Sequence, residues 1–421
     1  MKIIRADQFE QSKCVNIGID EEINRIVSQI LDNVSNRGDD AVKEYTQKFD
    51  GVSVDSLEIS KEEIDSAYNE CDKYFLQTLI QAKENITLYH QKQVRKGYDI
   101  QKEDGIRLGQ IIRPLKRVGI YVPGGTAAYP STVLMDAIPA KIAGVEEVIM
   151  VTPRGKDGKV NKNVLSAAKI VGVDRVFGIG GAQAIGALAF GTETVPKVDK
   201  IVGPGNAYVA NAKRQVFGIV DIDMIAGPSE ILVIADDNAN PEYVASDLLG
   251  QAEHDKRAGI YLVCLSEDFA KKVDDALSRR LKLLERESIA KVSADNGIIM
   301  VAKDIDEAFE VANLVAPEHL EICVENPFDY LDRVKNAGGI FLGNYAPEAL
   351  GDYFAGTNHT LPTSGTARFA SPLSVDDFIK KSSYLYYTES ALKKVGEQVA
   401  DFADREGLTA HAESIRVRIN E

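Results

Sequence analysis

The chain has 421 residues, 44% hydrophobic and 27% charged, enough apolar material for two or three packed units and too much for a disordered or fibrous chain. Its 49 basic and 64 acidic residues leave a formal charge of −15, which argues against a nucleic-acid or anionic-membrane partner and for small-molecule chemistry. No apolar run approaches the length of a membrane span, and the N-terminal MKIIRADQFE lacks a signal-peptide core, so a cytoplasmic location is expected.

From about residue 20 to residue 95 apolar positions recur with helical spacing: Ile23, Ile26, Val27, Ile30 and Leu31, then Phe75, Leu79, Ile86 and Tyr89. After this come short runs rich in β-branched residues, each reading as a buried strand: VGIYV from Val118, EVIMV from Glu147, RVFGI from Arg175, KIVG from Lys200, ILVIA from Ile231, IYLVCL from Ile260, GIIMV from Gly297, LEICV from Leu320 and GIFLG from Gly339. Helical patterns such as STVLMDAIPAKIAG from Ser131 separate them, as right-handed βαβ units require. The rhythm of two successive strand series, from Val118 to Gly203 and from Ile231 to Gly343, suggests two related α/β lobes with a crevice between them. Beyond Pro372 the spacing of Val375, Phe378, Ile379 and Leu385, and then Val395, Val399, Phe402 and Ala403, reads as a helical tail. Amphipathic helices without a sheet of their own must cover their apolar faces, and a second copy of the chain is the expected partner.

The four cysteines, Cys14, Cys71, Cys264 and Cys323, show no metal-ligand spacing and read as buried thiols. The glycosylation-like triplets at Asn33, Asn85 and Asn358 are chance matches in a chain that stays in the cytoplasm. Of five histidines, His254, His319, His359 and His411 stand near acids, amides or hydroxyls, whereas His90, between Tyr89 and Gln91, reads as a packed helical residue. Gln251 and His254 are three apart in DLLGQAEH, so on a helix both would leave one face toward a single ion. Taken singly, Asp352 after Gly351 is a turn or cap residue, Ser229 in GPSE is a cap, the Glu318 and His319 pair is a surface turn, and His411 is a helix-surface residue. In FGIGGAQAIGALAFG a strand gives way to a helix at Gly178, Gly180 and Gly181. Gln183 stands where a dinucleotide fingerprint has its third glycine, so pattern alone favours a tight strand-to-helix turn.

Together, QAEHD, APEHLEI, LGDYFAGTNHTLPTSGTARF and EGLTAH, with YVPGG, GGAQAIGALAFGT, GPGNAYVANAKRQV and AGPSEILV, resemble the signature segments of the histidinol dehydrogenases, in family order from about residue 20 to the C-terminus. The resemblance implies oxidation of L-histidinol through L-histidinal to L-histidine, with two NAD⁺ and one water. It implies a zinc ion held by Gln251, His254, Asp352 and His411, the last supplied by the neighbouring subunit of a homodimer. By the same resemblance His319 takes the alcohol proton and Glu318 activates water. Ser229 and Glu406 touch substrate alongside Gln251, His254, His319, Asp352 and His411; Tyr121, Gln183 and Asn206 contact NAD; and His359 supports the substrate site. The fold implied is two similar, incomplete Rossmann-like parallel lobes in an intertwined homodimer. Residues 1–19 and 373–398 would form a small helical extension, and 20–120 with 230–372 the larger lobe carrying metal and catalytic residues. Residues 121–229 would form the lobe that contacts NAD, and 399–421 the tail that completes the partner's site. Competing readings are a dehydrogenase of this fold acting on another amino or sulfonated alcohol, a zinc hydrolase using Glu318, and a protein with purely structural zinc. An open metal coordination position disfavours the last.

Overall fold

The computed structural model describes residues 1–9, 20–124 and 128–420, which leaves Cys14 and the second glycine of YVPGG outside. The chain divides into two compact units, Met1–Gln93 with Leu115–Phe378, and Val94–Pro114 with Ile379–Glu421.

In the first unit, α1 (Glu21–Asp50) starts where the Asp20 carboxylate accepts the N–H groups of Glu22 and Ile23 at 3.0 and 3.1 Å, with two acids in its first turn complementing the helix dipole. It bends at Gly38, whose φ of 54° and missing side chain admit the Glu193 carboxylate. The helices α2 (Lys61–Asn69) and α3 (Lys73–His90) start on Ser60 and Asp72 caps. A five-stranded parallel sheet follows, built from β4 (Arg117–Tyr121), β5 (Glu147–Val151), β6 (Arg175–Phe177), β7 (Lys200–Val202) and β8 (Asp221–Ile222), in the order β6-β5-β4-β7-β8. Between its strands run α4 (Pro130–Ala143), α5 (Lys162–Val171), α6 (Gly181–Phe190) and α7 (Ala207–Val216).

The second sheet of this unit joins β1 (Lys2–Arg5), β9 (Glu230–Ala235), β10 (Gly259–Cys264), β11 (Ile298–Val301), β12 (His319–Cys323) and β13 (Gly339–Leu342), in the order β1-β11-β10-β9-β12-β13, all parallel. Helices α8 (Pro241–Ala252), α9 (Glu267–Leu281), α10 (Glu287–Asn296) and α11 (Ile305–Val315) connect them, and after β13 come a single turn α12 (Glu348–Leu350) and a π-helical turn, Gly351–Ala355. With β1 set aside, both sheets run third-second-first-fourth-fifth in chain order. Helices cover both faces, which is why ILVIA reads as unbroken apolar sequence: Ile231, Val233 and Ala235 enter one core, Leu232 and Ile234 the other.

The second unit contains an antiparallel sheet, ordered β14-β3-β2, of β2 (Tyr98–Gln101), β3 (Arg107–Pro114) and β14 (Ile379–Tyr386), with the helices α13 (Glu389–Arg405) and α14 (Thr409–Ile419) packed on each other. Three expectations are corrected here. The helical reading through Ile379 and Leu385 fails because only Val375–Phe378 makes a helical turn; IKKSSYLY then pairs residue for residue with β3, the pairing that its Ile and Tyr content favours. The N-terminus is no helical extension, since Lys2–Arg5 forms an edge strand on β11. The expectation that helices α1 to α3 and strand β4 belong to the larger lobe also fails: α1 packs on α6 and α7, α2 on α5, α3 on α4, and β4 is the central strand of the five-stranded sheet. An amphipathic stripe shows that a helix must be covered and not by what.

Candidate active site

The two sheets present opposite edges to one cavity. Ser229 and Glu230 open β9, and Glu318 and His319 open β12, so these four residues lie at the amino edge of the six-stranded sheet. Tyr121 ends β4, Gln183 lies in the first turn of α6 after β6, and Asn206 caps α7 after β7, all at the carboxyl edge of the five-stranded sheet, where open α/β sheets bind ligands. A cavity of about 320 Å³ lined by Asn206, Ser229, His254, Arg257 and Ser364 joins the two edges.

His319 is buried at the opening of β12. Its Nδ1 is 3.7 Å from Glu348 Oε1 and its Nε2 3.7 Å from Asp352 Oδ1. Ligand atoms of His319, Glu348 and Asp352 lie within 4.8 Å of one another. Gln251, buried in the last turn of α8, joins them: the amide orientation that satisfies both of its ends turns Nε2 toward Glu348 Oε1 and Oε2, at 3.0 and 3.2 Å, and toward His319 Nδ1 at 3.2 Å. His254 lies just past α8, which ends at Ala252, so the expected pair on one helix face is instead a helix residue and a residue of the following turn, still linked by the His254 N–H donating to the Gln251 carbonyl at 3.2 Å. It is exposed and opens on the cavity.

Burial raises the Glu348 carboxyl to about 8 and the Glu318 carboxyl to about 7, with the neighbouring Asp352 charge adding to both. Burial works against the His319 imidazolium, yet Glu348, Glu318 and Asp352 hold its proton affinity up at about 10. Burial also opposes ionisation of Asp352, but His319 keeps its carboxyl below the usual value. Among the described residues the ion pairs of Glu348 and Asp352 are both to His319. Three acids around one imidazole leave a negative surplus, and a Gln, His and Asp donor set beside it suits a divalent cation of borderline softness.

The segment after Asp352 is pinned to α4. Asn358 donates to the Met135 carbonyl at 2.7 Å, Thr360 donates its hydroxyl proton to Asp136 at 2.9 Å, and His359 Nε2 lies 3.4 Å from the Thr132 hydroxyl. His359 is thus half-buried beside Asp352, and desolvation lowers its proton affinity. His90 is a fully buried structural residue hydrogen-bonded to Gln93 at 2.7 Å, as its sequence context suggests.

On the opposite edge, the Tyr121 hydroxyl accepts the Gly181 N–H at 3.1 Å, and burial pushes its pKa up to about 12. Gln183 is buried with neither amide atom hydrogen-bonded, beside a helix start capped only by Gly180; both features fit a polar ligand there. Asn206 accepts the Tyr208 and Val209 N–H groups at 3.0 and 3.1 Å while exposed on the cavity. Glu406 caps α13 and His411 lies in the first turn of α14; both are exposed and belong to the second unit. Sequence reasoning missed Glu348 and Glu230. The i,i+4 spacing of Glu348 and Asp352 in PEALGD was the available signal for the first, and for the second there was only its position next to Ser229.

The histidinol dehydrogenase family profile matches residues 17–419. A histidinol dehydrogenase from Clostridium acetobutylicum is 58% identical over 398 residues, 94% of this chain and 92% of that protein. One from a Bacillus cereus strain is 55% identical over 404 residues, 96% of this chain and 94% of its own. The crystal structure of histidinol dehydrogenase from Elizabethkingia anophelis matches with a TM-score of 0.95 at 38% identity, covering 100% of this chain and 98% of that one. The chain belongs to the histidinol dehydrogenase family. It is an NAD-dependent oxidoreductase that carries out the four-electron oxidation of histidinol, a small-molecule substrate, in histidine biosynthesis. No helix of the described residues is long and apolar enough to cross a membrane.

Proposed function

We propose that Gln251, His254 and Asp352, with His411 of the second unit supplied across an intertwined homodimer, hold one zinc ion beside the Glu318 and His319 pair. The observation that carries this reading is the convergence of Gln251, His319, Glu348 and Asp352 on one point with an excess of carboxylates. Zinc, when bound, supplies a redox-inert anchor for the substrate's nitrogen atoms, and NAD the hydride acceptor.

The alcohol proton passes to His319 as hydride leaves the carbinol carbon, giving L-histidinal. Glu318, held at the strand opening, takes a proton from one water as that water adds to the aldehyde carbon. Protonated His319 gives its proton to the aldehyde oxygen as the hydroxyl adds, so the neutral hydrate forms and the imidazole is free again. The hydrate then loses a second hydride to a second NAD⁺ and one proton to His319. The carboxylic acid so formed ionises to the carboxylate of histidine as Glu318 and His319 shed their protons to solvent. An imidazole suits both transfers when its proton affinity lies near neutrality, and a bound cation that offsets the charge of the neighbouring carboxyls would bring His319 down from about 10 toward that range. Ser229 and Glu406 contact substrate, the carboxylate of Glu406 being suited to its ammonium or imidazole group. Tyr121, Gln183 and Asn206 contact NAD, and His359 holds the Asp352 loop. The shared strand order supports reading the two sheets as similar, incomplete Rossmann-like lobes. Residues 399–421 serve the partner's site, and the enzyme works in the cytoplasm.

The test is anaerobic turnover of the purified, zinc-loaded protein with histidinol, scoring two NADH and one histidine per substrate. Release of free aldehyde with one NADH, or turnover only of another amino or sulfonated alcohol, would overturn the assignment.

A further inference from the structure

The turn at residues 363–365 has an unusual backbone. Ser364, not a glycine, stands at φ 56°, followed by Gly365 at φ 75°, a left-handed pair that aims successive N–H groups into one concavity. Such concavities take acidic oxygens, and here the acceptor is internal: the Ser364 N–H donates to Glu230 Oε2 at 2.8 Å and the Gly365 N–H to Glu230 Oε1 at 3.1 Å. The turn grips the GPSE segment at a second point, where the Gly227 N–H donates to Thr363 Oγ1 at 2.7 Å. A Cβ on Gly227 would fall 2.2 Å from Ser364 Oγ, so the two segments are in direct contact. On its other side Glu230 is laced to Glu318. The Glu318 N–H favours the Glu230 carboxylate, while the Glu230 N–H and the Ser229 hydroxyl favour the Glu318 carboxylate.

Ser364 in the left-handed region is strained in an isolated chain and persists only where its surroundings hold it there. Those surroundings are the buried Glu230 carboxylate, which the strand β9 has no need of for its own pairing. We propose that Glu230 is a positioning residue for substrate: by filling the concavity at Ser364 and Gly365 it clamps the start of β9, and so fixes the Ser229 hydroxyl and the Glu318 carboxyl relative to each other. The inference rests on the reading of Ser229 as a substrate contact and adds that its placement is set by a turn more than 130 residues away, not by its own strand alone.

The experiment compares Glu230→Gln, Thr363→Val and Ser229→Ala in the full-length, zinc-loaded enzyme, measuring KM for histidinol, KM for NAD, kcat and melting temperature. Glu230→Gln, which presents an N–H to a donor pair, is expected to raise KM for histidinol about tenfold while KM for NAD stays within about twofold. Thr363→Val removes the other grip and is expected to move KM for histidinol in the same direction by a smaller factor. A lower melting temperature with KM for histidinol unchanged would reduce Glu230 to a stability role and overturn the proposal; if Glu230→Gln does not fold, Thr363→Val decides. An unchanged KM in Ser229→Ala sinks the serine reading, whereas a raised KM there with no change in the other two variants sinks the Glu230 assignment alone.

Discussion

Glu348 Oε1 lies 3.7 Å from Nδ1 of His319, on the ring edge opposite the one that faces Asp352. The same carboxylate takes the Gln251 amide nitrogen, which leaves the amide oxygen for an ion. Partners of this kind orient ligands, and losing one typically costs about 10- to 100-fold in metal affinity. Glu348→Gln is therefore expected to weaken zinc binding by roughly that factor, read by competition with a chromophoric chelator. Wild-type affinity in this variant would show that Gln251 needs no such orientation.

Replacing His319 by Asn should lower kcat by about 10²- to 10⁴-fold while histidinol and NAD still bind within a few fold. Glu318→Gln should separate the half-reactions: histidinol still yields a first NADH, and oxidation of added histidinal collapses. Rapid-mixing absorbance at the NADH band distinguishes them, and equal loss of both steps would remove water activation from Glu318.

Without metal, stability should fall as pH rises from about 6 to 9. His319 binds its proton more tightly folded, up to about 10, so its contribution is complete below the ordinary histidine value and disappears as pH climbs toward that figure. Glu348 and Glu318, raised to about 8 and about 7, act in the same direction, because ionising them in the folded state is unfavourable while the unfolded chain has already released those protons. A bound cation offsets the carboxylate charge, so zinc should flatten the profile. Melting curves with and without chelator across this range test the sign; a metal-free protein that grows more stable toward pH 9 would contradict it.

If His411 reaches the partner's site, Glu318→Gln and His411→Ala homodimers each fail to form histidine, yet their heterodimer holds one intact site. Mixing after reversible dissociation should restore about a quarter of the wild-type rate of histidine formation, the share expected from random pairing of two defective subunits. No recovery in verified heterodimers would place both residues in one chain's site.

Gln183→Ala should raise KM for NAD several-fold and leave KM for histidinol unchanged, since a buried amide with no internal partner loses only its ligand. The reverse pattern in steady-state kinetics would move Gln183 to the substrate side.

Much of this was legible in one dimension. Strand runs such as ILVIA and EVIMV announced buried parallel strands because helices cover both faces, and nearby motifs placed Glu318 with His319 and Gln251 with His254. What escaped was whatever depends on a distant partner. IKKSSYLY is a strand only because β3 accepts it, and Lys2–Arg5 only because β11 has a free edge. Glu348 and Glu230 look like ordinary acids in the sequence, and only the folded chain carries one to His319 and the other into the turn at Ser364. Local spacing determined the elements and the reactive groups, since periodicity and motif chemistry are properties of neighbouring residues. Tertiary structure decided which groups meet and with what charge around them, since pairing, burial and proton affinity belong to residues brought together from far along the chain.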